Sequence, residues 1–204
     1  PASTSTSATL TEQKNPVVTV PPSNSTVCAG NNTAFSVTAT GTGLTYQWQE
    51  NGINITNGGI YSGATTSTLT LTGVTVGMTG RQYQVVITGT CAPTTSAPGI
   101  LTVNTLPLVT VNPIDATVCE GLGTSFSVTA TGTGITYQWQ EDTGTGFVNL
   151  ANGGVYSNVT TATLSISNVV GKGGYRYRAV VSGTCSPAST STSATLTEQK
   201  NPVV

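Results

Sequence analysis

The hexapeptide TYQWQE at Thr45–Glu50 returns unchanged at Thr136–Glu141, and these two copies hold the only tryptophans of the chain, Trp48 and Trp139. Around each, apolar and polar residues alternate: Leu44, Tyr46 and Trp48, then Ile135, Tyr137 and Trp139. Alternation of period two lines up one row of side chains on one face of a pleated strand, so each tryptophan reads as the core anchor of a half-buried β-strand. Two such anchors predict two like domains of about 90–100 residues, each large enough to bury its own core.

The rest of the chain falls into register around them. Cys28 and Cys119 are separated by the same 91 positions as the tryptophans, Leu69 and Leu164 by 95, and Tyr83 and Tyr177 by 94. The register therefore breaks twice, with four residues gained between Glu141 and Asn152 and one lost near Gly171. Both breaks lie in Gly/Thr-rich sequence, where loops absorb length change. A longer recurrence encloses this one: residues 1–18, PASTSTSATLTEQKNPVV, are identical to residues 187–204. Such identity marks a window on a longer array whose unit is a pair of domains. The expected division is 1–14 as the last strand and linker of a preceding repeat, 15–104 as domain 1, and 105–204 as domain 2 with the linker to the next repeat.

Within domain 1, Pro16 to Val20 reads as an edge strand, and Phe35, Val37 and Ala39 alternate as one strand. Leu44 to Trp48 follow; Leu69 and Leu71 form a strand; Val74 begins a crossover; Tyr83, Val85 and Ile87 alternate; Leu101 and Val103 close the domain. Domain 2 repeats each step, with Phe126, Val128 and Ala130, Leu164, Ile166 and Val169, Tyr177, Ala179 and Val181, then Leu196. Turns such as Ala29–Asn32 and Asn57–Gly59 separate them, and no stretch carries a helical period. About seven short strands with turns every 8–12 residues specify an all-β sandwich.

Composition removes whole classes of function. Charged residues are 6% of the chain and the net charge is −1. Without a basic field, counterion release cannot drive nucleic-acid binding, and no polybasic patch addresses a membrane. Apolar runs such as Val85–Ile87 are far too short to span a bilayer, and Pro1–Thr4 lacks the charged and apolar regions of a signal peptide. There is no histidine, so the commonest general base is missing and serine or cysteine nucleophiles lack an activating partner. The seven acids are scattered, and Glu50 and Glu141, each at the end of its tryptophan strand, are expected to solvate the strand tips. No catalytic, cofactor or metal residues are assigned: neither a CxxC spacing nor a calcium-loop pattern is present.

The order of a tryptophan strand, a Leu-x-Leu strand and a Gly-x-x-Tyr opening, Gly80–Tyr83 and Gly174–Tyr177, resembles the immunoglobulin-like domain, twice over. The resemblance implies an all-β fold of two tandem immunoglobulin-like sandwiches, with Tyr83 and Tyr177 at the tyrosine-corner position beside the core anchors Trp48 and Trp139. It also places the usual inter-sheet cysteines at Val37 and Val85 and at Val128 and Ala179, so that core bond is missing. The cysteines sit instead in Thr26–Gly30 and Gly89–Cys91 and their copies, a "VCxG … GTC" pattern that resembles immunoglobulin-like repeats of large secreted bacterial surface proteins, adhesins and gliding-type surface proteins among them.

Two cysteines per repeat fit disulfides in an oxidising compartment. Two pairings stand open: Cys28 with Cys91 and Cys119 with Cys185 within domains, or Cys28 with Cys185 across the domain joint. On immunoglobulin topology the eight steps from Tyr83 to Cys91 cover roughly 26 Å, which carries Cys91 away from the end that holds Cys28. In the second scheme, translation along the array bonds Cys91 backwards and Cys119 forwards to neighbouring units.

The resemblance implies an extracellular, cell-surface structural repeat of a bacterial fibre, filament or adhesin stalk, stiffened by disulfides. Its partners are neighbouring copies of the same repeat, with lateral self-association through strand edges. The alternative is a glycan- or host-binding module attached to a larger secreted enzyme or adhesin. For a surface glycan the stacking candidates are Tyr61 and Tyr156, after matching Gly-Gly turns, and Phe147 in the Asp142–Leu150 loop that differs between copies. Asn-x-Ser/Thr at Asn24, Asn31, Asn54 and Asn158 follows from abundant Asn and Thr in turns, and the Ser189–Ser193 run reads as a solvated edge strand.

Overall fold

The computed structural model describes Thr4 and residues 6–201. The chain forms two compact units, Pro1–Val103 and Asn104–Val204. In the first, one sheet runs in the order Ser25–Cys28, Gly99–Asn104, Gln82–Thr88, Thr45–Glu50, Ile53–Asn54, with Thr94–Thr95 also paired to Gln82–Thr88. Opposite it stand Thr33–Ser36, Thr68–Leu71 and Tyr61–Ser62, and a two-stranded ladder joins Val17–Val20 to Thr38–Thr40. The second unit repeats this order strand for strand, from Ala116–Cys119 and Ala194–Gln199 through Arg176–Ser182 and Thr136–Asp142 to Phe147–Asn149.

The period-two pattern accounts for the interior. Tyr83, Val85 and Ile87 are all fully buried, as is Trp48, which sits directly opposite Val85 on the neighbouring strand. In the second unit Trp139 is opposite Ala179, again with both fully buried. Aliphatic side chains thus occupy the places where the fold usually carries its inter-sheet disulfide, and the indole packs on them. Each indole N–H is satisfied by a carbonyl, Thr66 O for Trp48 and Thr161 O for Trp139, both at 2.9 Å. A buried donor of this kind needs such a partner.

Three features differ from the sequence reading. The strand expected through Phe35, Val37 and Ala39 is interrupted at Val37: Thr33–Ser36 pairs with Thr68–Leu71, whereas Thr38–Thr40 pairs with Val17–Val20. One extended segment serves two neighbours because the chain crosses between them at Val37, and a period-two pattern cannot register such a change of partner. Ser25–Cys28, read only as sequence ahead of a strand, is itself a strand at the sheet edge. Among the described residues a single 3-10 turn, Val76–Met78, lies in the crossover and buries Met78.

One turn keeps the left-handed conformation in both copies but differs in the room it leaves for a side chain. Gly63 has φ +77°, and a Cβ built there would lie 2.2 Å from Thr68 O. The matching position in the second unit, after the same Tyr-Ser pair, is Asn158 at φ 62°. Asparagine tolerates this left-handed region better than other side chains. Gly63→Ala and Gly63→Asn are therefore both expected to cost about 1–2 kcal/mol or more, because the Cβ they share meets the Thr68 carbonyl, measured by chemical denaturation. A loss below about 0.5 kcal/mol in either variant would remove this account.

Candidate functional site

The tryptophan strand carries its own charge to one end. Glu50 lies two residues beyond Trp48 and directly opposite Tyr83. Its carboxylate accepts hydrogen bonds from Tyr61 Oη at 2.6 Å and Tyr83 Oη at 2.7 Å, and Arg81 binds both of its oxygens at 3.0 and 3.1 Å. Burial pushes this carboxyl up, but the hydrogen bonds from Tyr61, Tyr83 and Arg81 outweigh burial and hold it below the usual carboxylate range. Burial first, and then the bonds to Glu50, raise the Tyr61 phenol, and burial raises that of Tyr83. Tyr83 also stacks on Phe35, with ring centroids 4.7 Å apart. The cluster closes the end of the sandwich.

The second unit builds the same lock from a different cation. Glu141 accepts from Tyr156, which is in very close contact, and from Tyr177 at 2.9 Å. Tyr175 stands where the first unit has Arg81, two residues before the buried tyrosine. The positive charge comes instead from Lys172, whose Nζ lies 3.9 Å from Glu141 and 4.6 Å above the Tyr156 ring. Burial foremost raises the phenols of Tyr156 and Tyr177.

Two expectations are corrected here. Glu50 and Glu141 do not solvate the strand tips: their side chains are only 22% and 12% exposed and serve as shared acceptors. The hydroxyls of Tyr83 and Tyr177 donate to these carboxylates, where a tyrosine corner donates to backbone carbonyls, because an ionised carboxylate is the stronger acceptor. Part of the signal was present in the sequence, since Glu50 and Glu141 each lie two positions beyond a tryptophan. It could not be read as contact because the partners are 33 and 36 positions apart.

The three aromatic residues considered for ligand stacking have definite surroundings. Tyr61 and Tyr156 are half-buried and spend their hydroxyls on the carboxylates. Beside Tyr61, Glu50, Asn51, Ile53 and Asn54 line an open concavity of about 340 Å³. Phe147 is half-buried beneath the guanidinium of Arg178, 3.8 Å from its centroid, with Arg176 at 5.6 Å. The loop bearing Phe147 is pinned by Asp142, which accepts from the Gly144 and Gly146 amides at 2.7 and 2.9 Å and pairs closely with Arg176. The two amides foremost, then Arg176, hold the Asp142 carboxyl below its ordinary value. The inserted residues therefore fold back on their own unit.

The cysteines divide into two kinds. Cys28 and Cys185 are each disulfide-bonded, whereas Cys91 and Cys119 carry free thiols. Neither within-domain pair, Cys28 with Cys91 or Cys119 with Cys185, is formed. Sheet register supplies the reason. Cys119 stands opposite Gln199, five positions beyond Ala194, which faces Tyr177; Cys185 lies eight positions beyond Tyr177 in the opposite direction. About 13 strand steps, roughly 40 Å, separate the two ends, and a disulfide needs Cα atoms within about 7 Å.

The fold and its end clusters define a tandem immunoglobulin-like β-sandwich protein. A family model described as a domain of unknown function (DUF8696) matches residues 17–105, the first unit. Among solved structures, the chain is similar to a three-immunoglobulin-domain fragment of titin, domains I67–I69, with TM-score 0.75, 21% identity, and 93% of this chain and 68% of that one covered. It is also similar to immunoglobulin domains 1 and 2 of DIP-gamma, with TM-score 0.62, 15% identity and coverage of 91% and 98%. A third similarity is to extracellular domains 3–5 of Drosophila OTK, with TM-score 0.57, 19% identity and coverage of 91% and 62%. A search of curated proteins finds no match.

Proposed function

We propose that the chain is a structural repeat of a long extracellular fibre, a filament or adhesin stalk of a bacterial surface, whose work is mechanical and not enzymatic. The observation that carries this reading is the 18-residue identity between residues 1–18 and 187–204, which makes the pair of units a translational repeat. Residues 1–14 are, on this reading, the last strand and linker of the preceding repeat, although residues 1–3, 5 and 202–204 lie outside the described ones. The neighbouring partners are copies of the same repeat.

The thiol states support a covalent joint. One cysteine of each positional type is bonded and one of each type is free: Cys28 and Cys119 end matching strands, and Cys91 and Cys185 follow matching tyrosine strands. In the proposed scheme Cys28 bonds Cys185, while Cys119 and Cys91 wait for the same partners in adjoining repeats. A bond closing a loop of this length restricts the unfolded chain by about 5 kcal/mol in the chain-entropy model. An oxidising compartment, and hence a location outside the cytoplasm, accords with this chemistry.

Peptide mapping without reductant is expected to recover Cys28 linked to Cys185, with Cys91 and Cys119 alkylated. Electron microscopy of the native material should then show thin regular fibres repeating every two domains, whose joints loosen on reduction. Flexible beads indifferent to reductant, or recovery of Cys28 with Cys91, would overturn the covalently stiffened fibre.

A further inference from the structure

The two units differ at two places in sequence that meet in space. In the first, Gln84 stands opposite Gln49 and completes a neutral relay: Gln84 Nε2 donates to Gln49 Oε1 at 2.8 Å, and Gln49 Nε2 to Asn54 Oδ1 at 2.9 Å. In the second, Gln140 Nε2 still donates to Asn149 Oδ1 at 2.8 Å, but Arg178 stands opposite Gln140 and donates its Nε to Gln140 Oε1 at 2.7 Å. The other difference is the gain of residues between Glu141 and Asn152, which brings Phe147 into the edge strand Phe147–Asn149. Its ring centroid lies 3.8 Å from the Arg178 guanidinium. A glutamine completes the same relay in the first unit, so holding the strands together does not require the charge.

The arrangement orients a cation and gives it no counter-charge. Arg176 is closely paired with Asp142, whose Oδ1 is taken by the Gly144 and Gly146 amides. Among the described residues no carboxylate pairs with Arg178, and its two terminal nitrogens have no acceptor. A planar guanidinium lying on an aromatic ring with its Nε already bonded presents a fixed fork of donors and loses little freedom when an oxyanion meets it. Strand register sets amides and a hydroxyl around it, at Gln140, Asn149 and Thr195, with Arg176 51% exposed beside them.

We infer that Arg178 binds the carboxylate or sulfate groups of an acidic polysaccharide. Arg178 is the contact and Phe147 positions it, in place of a ring that stacks on sugar. Charge complementarity selects an anion, and the surrounding amides and hydroxyl match the hydroxyls of a saccharide. The chain as a whole carries a net charge of −1, so attraction to a polyanion is confined to this face. The site lies within one unit and is independent of the fibre reading.

The test is isothermal titration of the full chain at low ionic strength with polygalacturonate, with dextran sulfate and with neutral dextran. Binding to at least one acidic polymer and none to dextran is expected, and the two acidic arms decide which oxyanion is held. Arg178→Gln installs the residue the first unit uses, so it should keep the native dichroism and lose about tenfold or more in affinity. Arg178→Lys keeps the charge without the fork and should lose severalfold. Phe147→Ala should weaken binding and Phe147→Tyr should restore it. No binding to either acidic polymer, equal binding to dextran, or wild-type affinity in Arg178→Gln would each overturn the site. Tighter binding of poly-L-glutamate than of both acidic polysaccharides would overturn the saccharide and make an acidic peptide the occupant. Equal losses in Phe147→Ala and Phe147→Tyr would overturn the positioning role.

Discussion

Trp48→Ala is expected to destabilise the first unit by about 3–5 kcal/mol, the cost of emptying a large aromatic site that cannot collapse. The indole is fully buried, faces Val85 across the ladder and donates to Thr66 O. No inter-sheet disulfide backs it up, since Val37 and Val85 occupy those places. The substitution thus creates a cavity and leaves the Thr66 carbonyl without its donor. Because Trp139 becomes the sole tryptophan, its fluorescence reports the second unit while circular dichroism reports both. Denaturant titration should separate into two transitions, with only the earlier one seen by dichroism alone. A loss below about 1.5 kcal/mol, or a fluorescence midpoint that moves equally, would contradict two independent tryptophan-centred cores.

Glu50→Ala is the second large effect, about 2–3 kcal/mol at neutral pH. The ion pair contributes little of this, because Arg81 is 36% exposed and its charge is screened by solvent. Most of the loss comes from the stranded hydroxyls of Tyr61 and Tyr83, which give up charge-assisted hydrogen bonds of 2.6 and 2.7 Å inside the sandwich end. Glu50→Gln should cost less, since its amide oxygen still accepts.

The pH dependence follows with a definite sign. The folded carboxyl of Glu50 lies below its ordinary 4.5, so the unfolded state binds the proton more readily. Its contribution is present above pH 4.5 and disappears as the pH falls through the folded value. Stability measured from pH 7 downward should decline below about 4.5, and Glu50→Ala should flatten that decline in the first unit. An unchanged acid slope in the variant would remove Glu50 from this role.

The two locks show why some of this architecture is legible in one dimension and some is not. Alternation around Trp48 and Tyr83 is local, so their burial could be read residue by residue. The bond from Tyr83 to Glu50 is not local, and a glutamate at the end of a strand looks like any solvated tip. Lys172 is harder still, because it replaces Arg81 from a different position in the chain, and only the closed end of the sandwich brings it within reach of Glu141. The Asp142 loop, whose four extra residues suggested a separate binding surface, is held by its own glycine amides and by Arg176.

The cysteines draw the same boundary. Spacing alone allowed two disulfide schemes, and the parallel register of Ala116–Cys119 with Ala194–Gln199 puts Cys119 and Cys185 at opposite ends of one unit. Sequence by itself determined the number of domains, their all-β pattern and their core anchors, because a repeat and a period of two are properties of neighbours along the chain, while the immunoglobulin-like order came from a resemblance. Only the tertiary structure decided which carboxylates are locked and which thiols are free. Those outcomes depend on which distant strands share a sheet.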